Sequence, residues 1–192
     1  MGREVELKYA ATPAQFAALK ADFPHLHPIE METTYYDTPK GDLGRRKITL
    51  RRRLENGVSV CTLKTPTGTA ARGEFQVECD NITDAIPILC KLSNLEDLLF
   101  LTAEGVIPVC GAKFTRWAKT ISISGCTMEI ALDKGILLGG GKAEPLCEVE
   151  VELKSGAPEA AMAFADALAK KFGLHRESKS KFRRALALAK GE

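Results

Sequence analysis

Two segments near opposite ends of this 192-residue chain carry the same five residues, Glu-Val-Glu-Leu-Lys, at 4–8 and at 150–154. The second copy is lengthened by Glu148 and Val149, so Glu148, Glu150 and Glu152 follow one another at every other position. At the strand period of two, each copy puts carboxylates and a lysine on one face and aliphatics on the other. Carboxylates crowded at that spacing repel one another, so something positive is expected to sit on them, with a divalent cation the obvious candidate. Basic residues recur in the same alternating way: Arg51 with Arg53, then Lys64, Arg72, Arg116 and Lys179. The guanidinium fork suits phosphate oxygens, with lysine as a point charge beside it. Mg²⁺ or Mn²⁺ prefers carboxylate oxygens, and Mg²⁺ bridges such carboxylates to substrate phosphates. One wall of acids for metal and others of bases for phosphate make a coherent site.

These residues need strands to present them. Thr12-Pro13-Ala14-Gln15 is a capping box with proline at N1, and it opens a helix ending near Phe23-Pro24 with Phe16, Leu19 and Phe23 as its apolar stripe. Residues 33–36 are β-prone and stop at Asp37-Thr38-Pro39, with Gly41 in the turn. The run 47–54 is joined by Asn56-Gly57, a strong hairpin signal, to an antiparallel return over 58–64. A loop at 65–71 leads to a strand at 72–79, where Arg72, Glu74, Gln76 and Glu78 share a face. From 83 to 102 the pattern is helical, and Ser93-Asn94-Leu95-Glu96 reads as a second capping box between two short helices. Strands are expected at 113–124 and 127–131, then a turn at Asp133-Lys134-Gly135 that leaves Glu129 and Asp133 on one face. The Gly139-Gly140-Gly141 connection precedes a strand over 146–154. A helix begins at Pro158 and stops at Gly173. In 178–188 the period-two spacing of Lys179, Lys181 and Arg183 fits a strand, while the alanine-rich end also suits a helix.

About eight strands with three or four helices can close into a barrel. Closure would remove the sheet edges. A lumen lined by both signs is costly when dry and sensible when water, metal and a polyanion fill it. The fold expected is therefore α+β: an eight-stranded antiparallel β-barrel or tunnel, its lumen charged, its helices packed outside, in one domain over 1–192.

Composition narrows the rest. A net charge of +2 gives no basic field to recruit nucleic acid or a membrane surface. No apolar run approaches a membrane span and the N-terminus lacks a signal-peptide core. The six cysteines are scattered with no Cys-x-x-Cys pair, which argues against zinc or a disulfide framework and for a reducing cytoplasm. Cys61, Cys79, Cys126 and Cys147 read as apolar packers, and His25, His27 and His175 fall in expected loops, leaving little for a histidine-based triad. Oligomeric state leaves no signal.

With these motifs in hand the chain resembles the CYTH-domain proteins, the triphosphate tunnel metalloenzymes. Glu4-x-Glu6-x-Lys8 matches the family's hallmark. Tyr36-Asp37-Thr38, Leu50-Arg51-Arg52-Arg53, Thr62-Leu63-Lys64, Arg72-Gly73-Glu74, Glu129 with Asp133, Glu148-Val149-Glu150 and Ser178-Lys179 follow in family order across nearly the whole chain. The resemblance implies a tunnel in which Glu4, Glu6, Asp133, Glu148 and Glu150 hold Mg²⁺ or Mn²⁺, the match favouring the two earlier glutamates of the last strand over Glu152. It implies that Lys8, Arg51, Arg53, Lys64, Arg72, Arg116 and Lys179 grip a triphosphate. Glu6, Glu74 and Glu78 are all candidates to orient water. Gln76 departs from the family's Glu-aromatic-Glu and is a poor metal ligand, and Lys113 has the wrong parity to join Arg116 without a bulge. The activity implied is metal-dependent hydrolysis of inorganic triphosphate to diphosphate and phosphate. Thiamine triphosphatase, a class IV adenylyl cyclase and a non-catalytic polyphosphate-binding module are the alternatives. Several bacterial inorganic triphosphatases carry a further C-terminal helical domain; this sequence reads either as a complete short protein or as one domain of a longer one.

Overall fold

The computed structural model describes residues 5–66, 73–123 and 125–192, so Glu4 and Arg72 lie outside the described residues. The chain is α+β. In order it forms β1 (Glu6–Ala10), α1 (Pro13–Asp22), β2 (His27–Asp37), α2 (Asp42–Arg45), β3 (Thr49–Glu55), β4 (Val58–Lys64), β5 (Glu74–Glu78) and α3 (Ile82–Ser93). A single 3-10 turn (Glu96–Leu98), α4 (Phe100–Glu104), β6 (Ile107–Ile123), β7 (Cys126–Gly139), β8 (Lys142–Ser155), α5 (Pro158–Phe172), β9 (His175–Arg176) and α6 (Lys181–Lys190) follow. The strands make one antiparallel sheet in the order β5-β4-β3-β2-β6-β7-β8-β1-β9. That order is open, where a closed ring of eight was expected. The ninth strand is the two-residue β9, whose His175 and Arg176 pair with Ala10 and Tyr9 and so occupy the edge of β1.

Two compact units are distinguished, each drawn from three segments of the chain. The first comprises Met1–Ile29, Phe114–Ile136 and Pro145–Ser180; the second comprises Glu30–Lys113, Leu137–Glu144 and Lys181–Glu192.

In the first unit, the aliphatic face of the strands is covered by α1 and α5. Leu7, Tyr9, Met128, Ile130, Leu132, Val149 and Val151 pack with Phe16, Leu19, Ala161, Ala165 and Leu168. Each large side chain so buried contributes about 1.5–3 kcal/mol. The capping box at Thr12 forms in both directions: Gln15 donates its backbone N–H to Thr12 Oγ1 at 3.2 Å, and Gln15 Oε1 accepts from the Thr12 N–H at 2.8 Å. Gln15 Nε2 also donates to the carbonyls of Phe172 and Gly173, at 3.0 and 2.9 Å, so the residue that starts α1 also ties it to the end of α5. Gly173 ends α5 in the left-handed conformation, as expected.

The second unit has its own core, in which α3 and α4 cover Leu50, Cys61 and Leu63. The β3–β4 hairpin turns at Asn56-Gly57, with φ of 49° and 88°, and Glu55 pairs with Val58. Three local expectations are corrected. Ser93-Asn94-Leu95-Glu96 is not a capping box: Ser93 is the last residue of α3 and donates to the Cys90 carbonyl at 3.1 Å, while Asn94 at φ 54° closes the helix in the left-handed region. Asp133-Lys134-Gly135 is not a turn but the middle of β7, which runs on to Gly139 and turns at Gly140-Gly141, both at positive φ. The stretch from Lys181 is helix. Its buried residues Lys181, Ala185 and Leu188 recur at helical spacing, so the helical alternative holds from Lys181 onward and Lys181 and Arg183 are not strand positions.

All six cysteines are free. His27 and His175 lie at strand ends and not in loops, and all three histidines are exposed. Among the described residues, no helix is long and apolar enough to cross a membrane.

Helix α6 lies against the β7–β8 hairpin of its unit so closely that a Cβ on Gly139 would stand 2.3 Å from the Ala185 carbonyl oxygen. Gly139→Ala is therefore expected to destabilise the fold by roughly 1–3 kcal/mol through overpacking. Chemical denaturation checks this; a midpoint equal to wild type would contradict the close approach.

Candidate functional site

The first unit carries the acids. The β1–β8 register sets Lys8 opposite Glu150, Glu6 opposite Glu152 and Ala10 opposite Glu148. Asp133 lies six residues before Gly139, the end of β7, and Glu148 six after Lys142, the start of β8. Likewise Arg116 stands seven before Ile123 and Asp133 seven after Cys126. Carboxylate oxygens of Asp133, Glu148 and Glu150 come within 4.8 Å of one another. Asp133 and Glu148 are 0% exposed and Glu150 8%, so this is not a solvent face. Arg116 donates Nε and Nη2 to the two oxygens of Asp133, each at 2.8 Å, and Nη2 also bonds Glu150. Lys8 Nζ lies 3.6 Å from Glu6 and 3.9 Å from Glu150. A second group on this face joins Lys154 to Glu152 at 2.8 Å and to Glu129 at 3.8 Å.

The cluster suits a hard divalent cation. Its donors are all carboxylate oxygens, which Mg²⁺ and Mn²⁺ favour, and oxygens on opposite sides of such an ion stand about 4–5 Å apart. Neither histidine nor cysteine takes part. Of the expected ligands, Asp133, Glu148 and Glu150 converge. Glu6 is exposed beside Lys8, and Lys179 is exposed in the loop before α6.

The second unit carries the arginines. Arg51 pairs with Tyr35 and Thr62, and Arg53 with Thr33 and Val60, placing both guanidinium groups on the face opposite Leu50 and its aliphatic core. Arg51 Nη2 donates to Glu74 at 3.0 Å, and Lys64 Nζ lies 2.7 Å from the other Glu74 oxygen. Arg53 donates Nε to Thr33 Oγ1 at 3.1 Å, with Glu55 3.6 Å from Nη1. Glu78 is exposed, and Gln76 donates to Glu74 at 2.8 Å. Lys113 pairs outward with Glu32 at 2.9 Å, in keeping with its parity.

At three of these ions burial is opposed by partners. Burial would lower Arg116, but the charges of Asp133 and Glu150 hold it well above the ordinary arginine value. Lys154 is likewise opposed by burial and raised by Glu152 and Glu129. Burial would raise Glu74, yet the hydrogen bond and charge of Lys64, with the charge of Arg51, bring it below the ordinary glutamate range.

Two placements lie beyond what the strand period shows. The Arg116–Asp133 pair was one, although equal counts from a turn at Gly125 would have found it. The other was Asp37, which accepts the N–H groups of Thr38, Leu43 and Gly44 at 2.7–2.9 Å and so fixes the β2–α2 corner.

The sequence pattern of the CYTH domain matches residues 2–186. An inorganic triphosphatase of Haemophilus influenzae is 28% identical over 98% of the chain, which spans about half (55%) of that relative's length. A Hippeastrum protein, described as an adenylyl cyclase with a dominant triphosphatase activity, shares the fold with a TM-score of 0.69 at 20% identity. The match covers 99% of this chain and 97% of that one. A protein of Bacillus halodurans described as an adenylate cyclase superposes with a TM-score of 0.67 at 18% identity, over 94% and 96% of the two chains.

Lys64→Met is expected to raise the Glu74 titration midpoint toward the ordinary value of about 4.3, followed by carboxyl NMR. Because the folded value is the lower one, these ion pairs stabilise the native state fully above pH ~4.3 and lose that contribution as pH falls through the folded midpoint. An unmoved midpoint would show that Lys64 does not hold the charge.

Proposed function

The chain belongs to the CYTH domain family, and from that premise we propose that it is a divalent-metal-dependent triphosphatase that hydrolyses inorganic triphosphate to diphosphate and phosphate. The observation that carries the reading is the set of three buried carboxylate oxygens within 4.8 Å of one another on Asp133, Glu148 and Glu150. Buried acids gathered this tightly make chemical sense as ligands of a hard cation. The Haemophilus influenzae relative, named an inorganic triphosphatase, supports the substrate class.

Asp133, Glu148 and Glu150 would hold Mg²⁺ or Mn²⁺, with Glu4 and Glu6 as further ligands from the hallmark motif. The cation would neutralise phosphate oxygens and stabilise the charge that develops on them. The residues offered for phosphate oxygens, carried from the resemblance, are Lys8, Arg116 and Lys179 of the first unit and Arg51, Arg53, Lys64 and Arg72 of the second. Arg51 and Lys64 are already held by Glu74, so they meet an anion with less rotamer freedom left to lose. Glu74, kept ionised by these two cations, is a weak proton acceptor and serves chiefly to position them. Glu6 and Glu78, both exposed, are better suited to orient the attacking water. The water oxygen bonds to the terminal phosphorus and gives a proton to the carboxylate that orients it, while the bridging P–O bond breaks and the diphosphate leaves with its electron pair, the charge met by the basic residues. No covalent nucleophile from the protein is required.

Tripolyphosphate, thiamine triphosphate, ATP and long-chain polyphosphate are supplied with Mg²⁺ or Mn²⁺, and phosphate and cyclic AMP are measured. Phosphate release from tripolyphosphate well above the others is expected; cyclic AMP from ATP, or tight binding without turnover, would replace the proposal. Glu150→Gln is expected to lose metal-dependent turnover by at least about a hundredfold, as removal of a group acting on transition-state charge does, while keeping the fold by circular dichroism. Arg53→Ala is expected to raise KM more than it lowers kcat, and a change confined to kcat would contradict its part in binding.

A further inference from the structure

We propose that Arg116 is the resident cation of the acid cluster, one that gives up Asp133 and Glu150 to the incoming divalent metal and is then free for the phosphate chain. This rests on the metal-centre reading above and adds an exchange to it. Arg116 engages both oxygens of Asp133 through Nε and Nη2, and its Nη2 also bonds Glu150. Those are two of the three residues whose oxygens converge. A guanidinium and a hard cation compete for the same lone pairs, and standing side by side they repel.

Burial explains why an arginine is there at all. Asp133 is 0% exposed, and a carboxylate at that depth without a counter-charge is strongly destabilising. Lys8 Nζ stands further off, 3.9 Å from Glu150. Small residues give the guanidinium room to reach two strands. Ala118 and Ala131, each two residues from Arg116 or Asp133 on the same strand face, are buried and extend no further than Cβ. Nη1 lies outside all three bonds and is the amino group left for an anion. The arrangement makes metal and polyanion binding reinforce one another: an anion that takes Arg116 releases the carboxylates, and by linkage the metal favours the anion equally.

Mn²⁺ alone is titrated into the wild type, Arg116→Gln and Arg116→Lys, with free Mn²⁺ followed by electron paramagnetic resonance. Arg116→Gln is expected to bind Mn²⁺ roughly tenfold more tightly or better, in line with measured couplings between close charges. Arg116→Lys, a point charge without the bidentate fork, should fall between it and the wild type. In EDTA, Arg116→Gln should also melt below the wild type and recover more on adding Mn²⁺, a gain that simple structural damage would not give. Should Arg116→Gln not fold without metal, Arg116→Lys decides. Affinity equal to or weaker than wild type in the folded variants overturns the exchange while leaving the metal centre standing. A wild type that binds no Mn²⁺ overturns the metal centre and the exchange with it.

Discussion

A carboxylate taken out of water costs several kcal/mol unless something positive meets it, and the first unit buries Asp133, Glu148 and Glu150 together. The remainder of that unit can be read as the means of making this tolerable. Arg116 is fixed on β6 by hairpin register and bonded to two of the acids, and Lys8 faces Glu150 across β1 and β8. The acids sit mid-strand in the sheet, where the backbone ladder leaves them little freedom to swing toward solvent. Residues Leu7, Val149 and Val151 on the opposite face supply the apolar burial that holds those strands under α1 and α5.

The second unit solves a related problem with the signs reversed. Arg51 and Lys64 share one carboxylate, Glu74, while Arg53 is held by Thr33 and Glu55. Two cations on a single acid leave donor capacity that an anion can use. The same strands bury Leu50, Cys61 and Leu63 beneath α3 and α4. In both units strand alternation keeps two incompatible solvents apart, an aliphatic one under the helices and a charged one on the other face.

Much of this was legible in the residues. The capping box at Thr12-Pro13-Ala14-Gln15, the Asn56-Gly57 hairpin and the Gly173 stop are local signals set by backbone sterics and short-range hydrogen bonds, and each forms where it was read. Where local signals competed, the reading failed. Asp133-Lys134-Gly135 has turn composition, yet the alternation on either side carries β7 straight through it. Lys179, Lys181 and Arg183 fit a period of two, but Ala185 and Leu188 bring helical packing beside Gly139, and the helix prevails.

Which residues share a face can be read along the chain, because side-chain direction follows from backbone period alone. That separated acids and bases from aliphatics, while the ordered motifs beginning with Glu4-x-Glu6-x-Lys8 carried the resemblance to CYTH-domain proteins. Only the tertiary structure decided which charges meet. Pairing Arg116 with Asp133 and Glu150, Glu74 with Arg51 and Lys64, and leaving Glu6 and Glu78 exposed are outcomes of strand register and side-chain reach. The pairing of β9 with β1, His175 beside Ala10 and Arg176 beside Tyr9, is another such outcome. Such choices depend on contacts between residues far apart in the chain, and no local period encodes them.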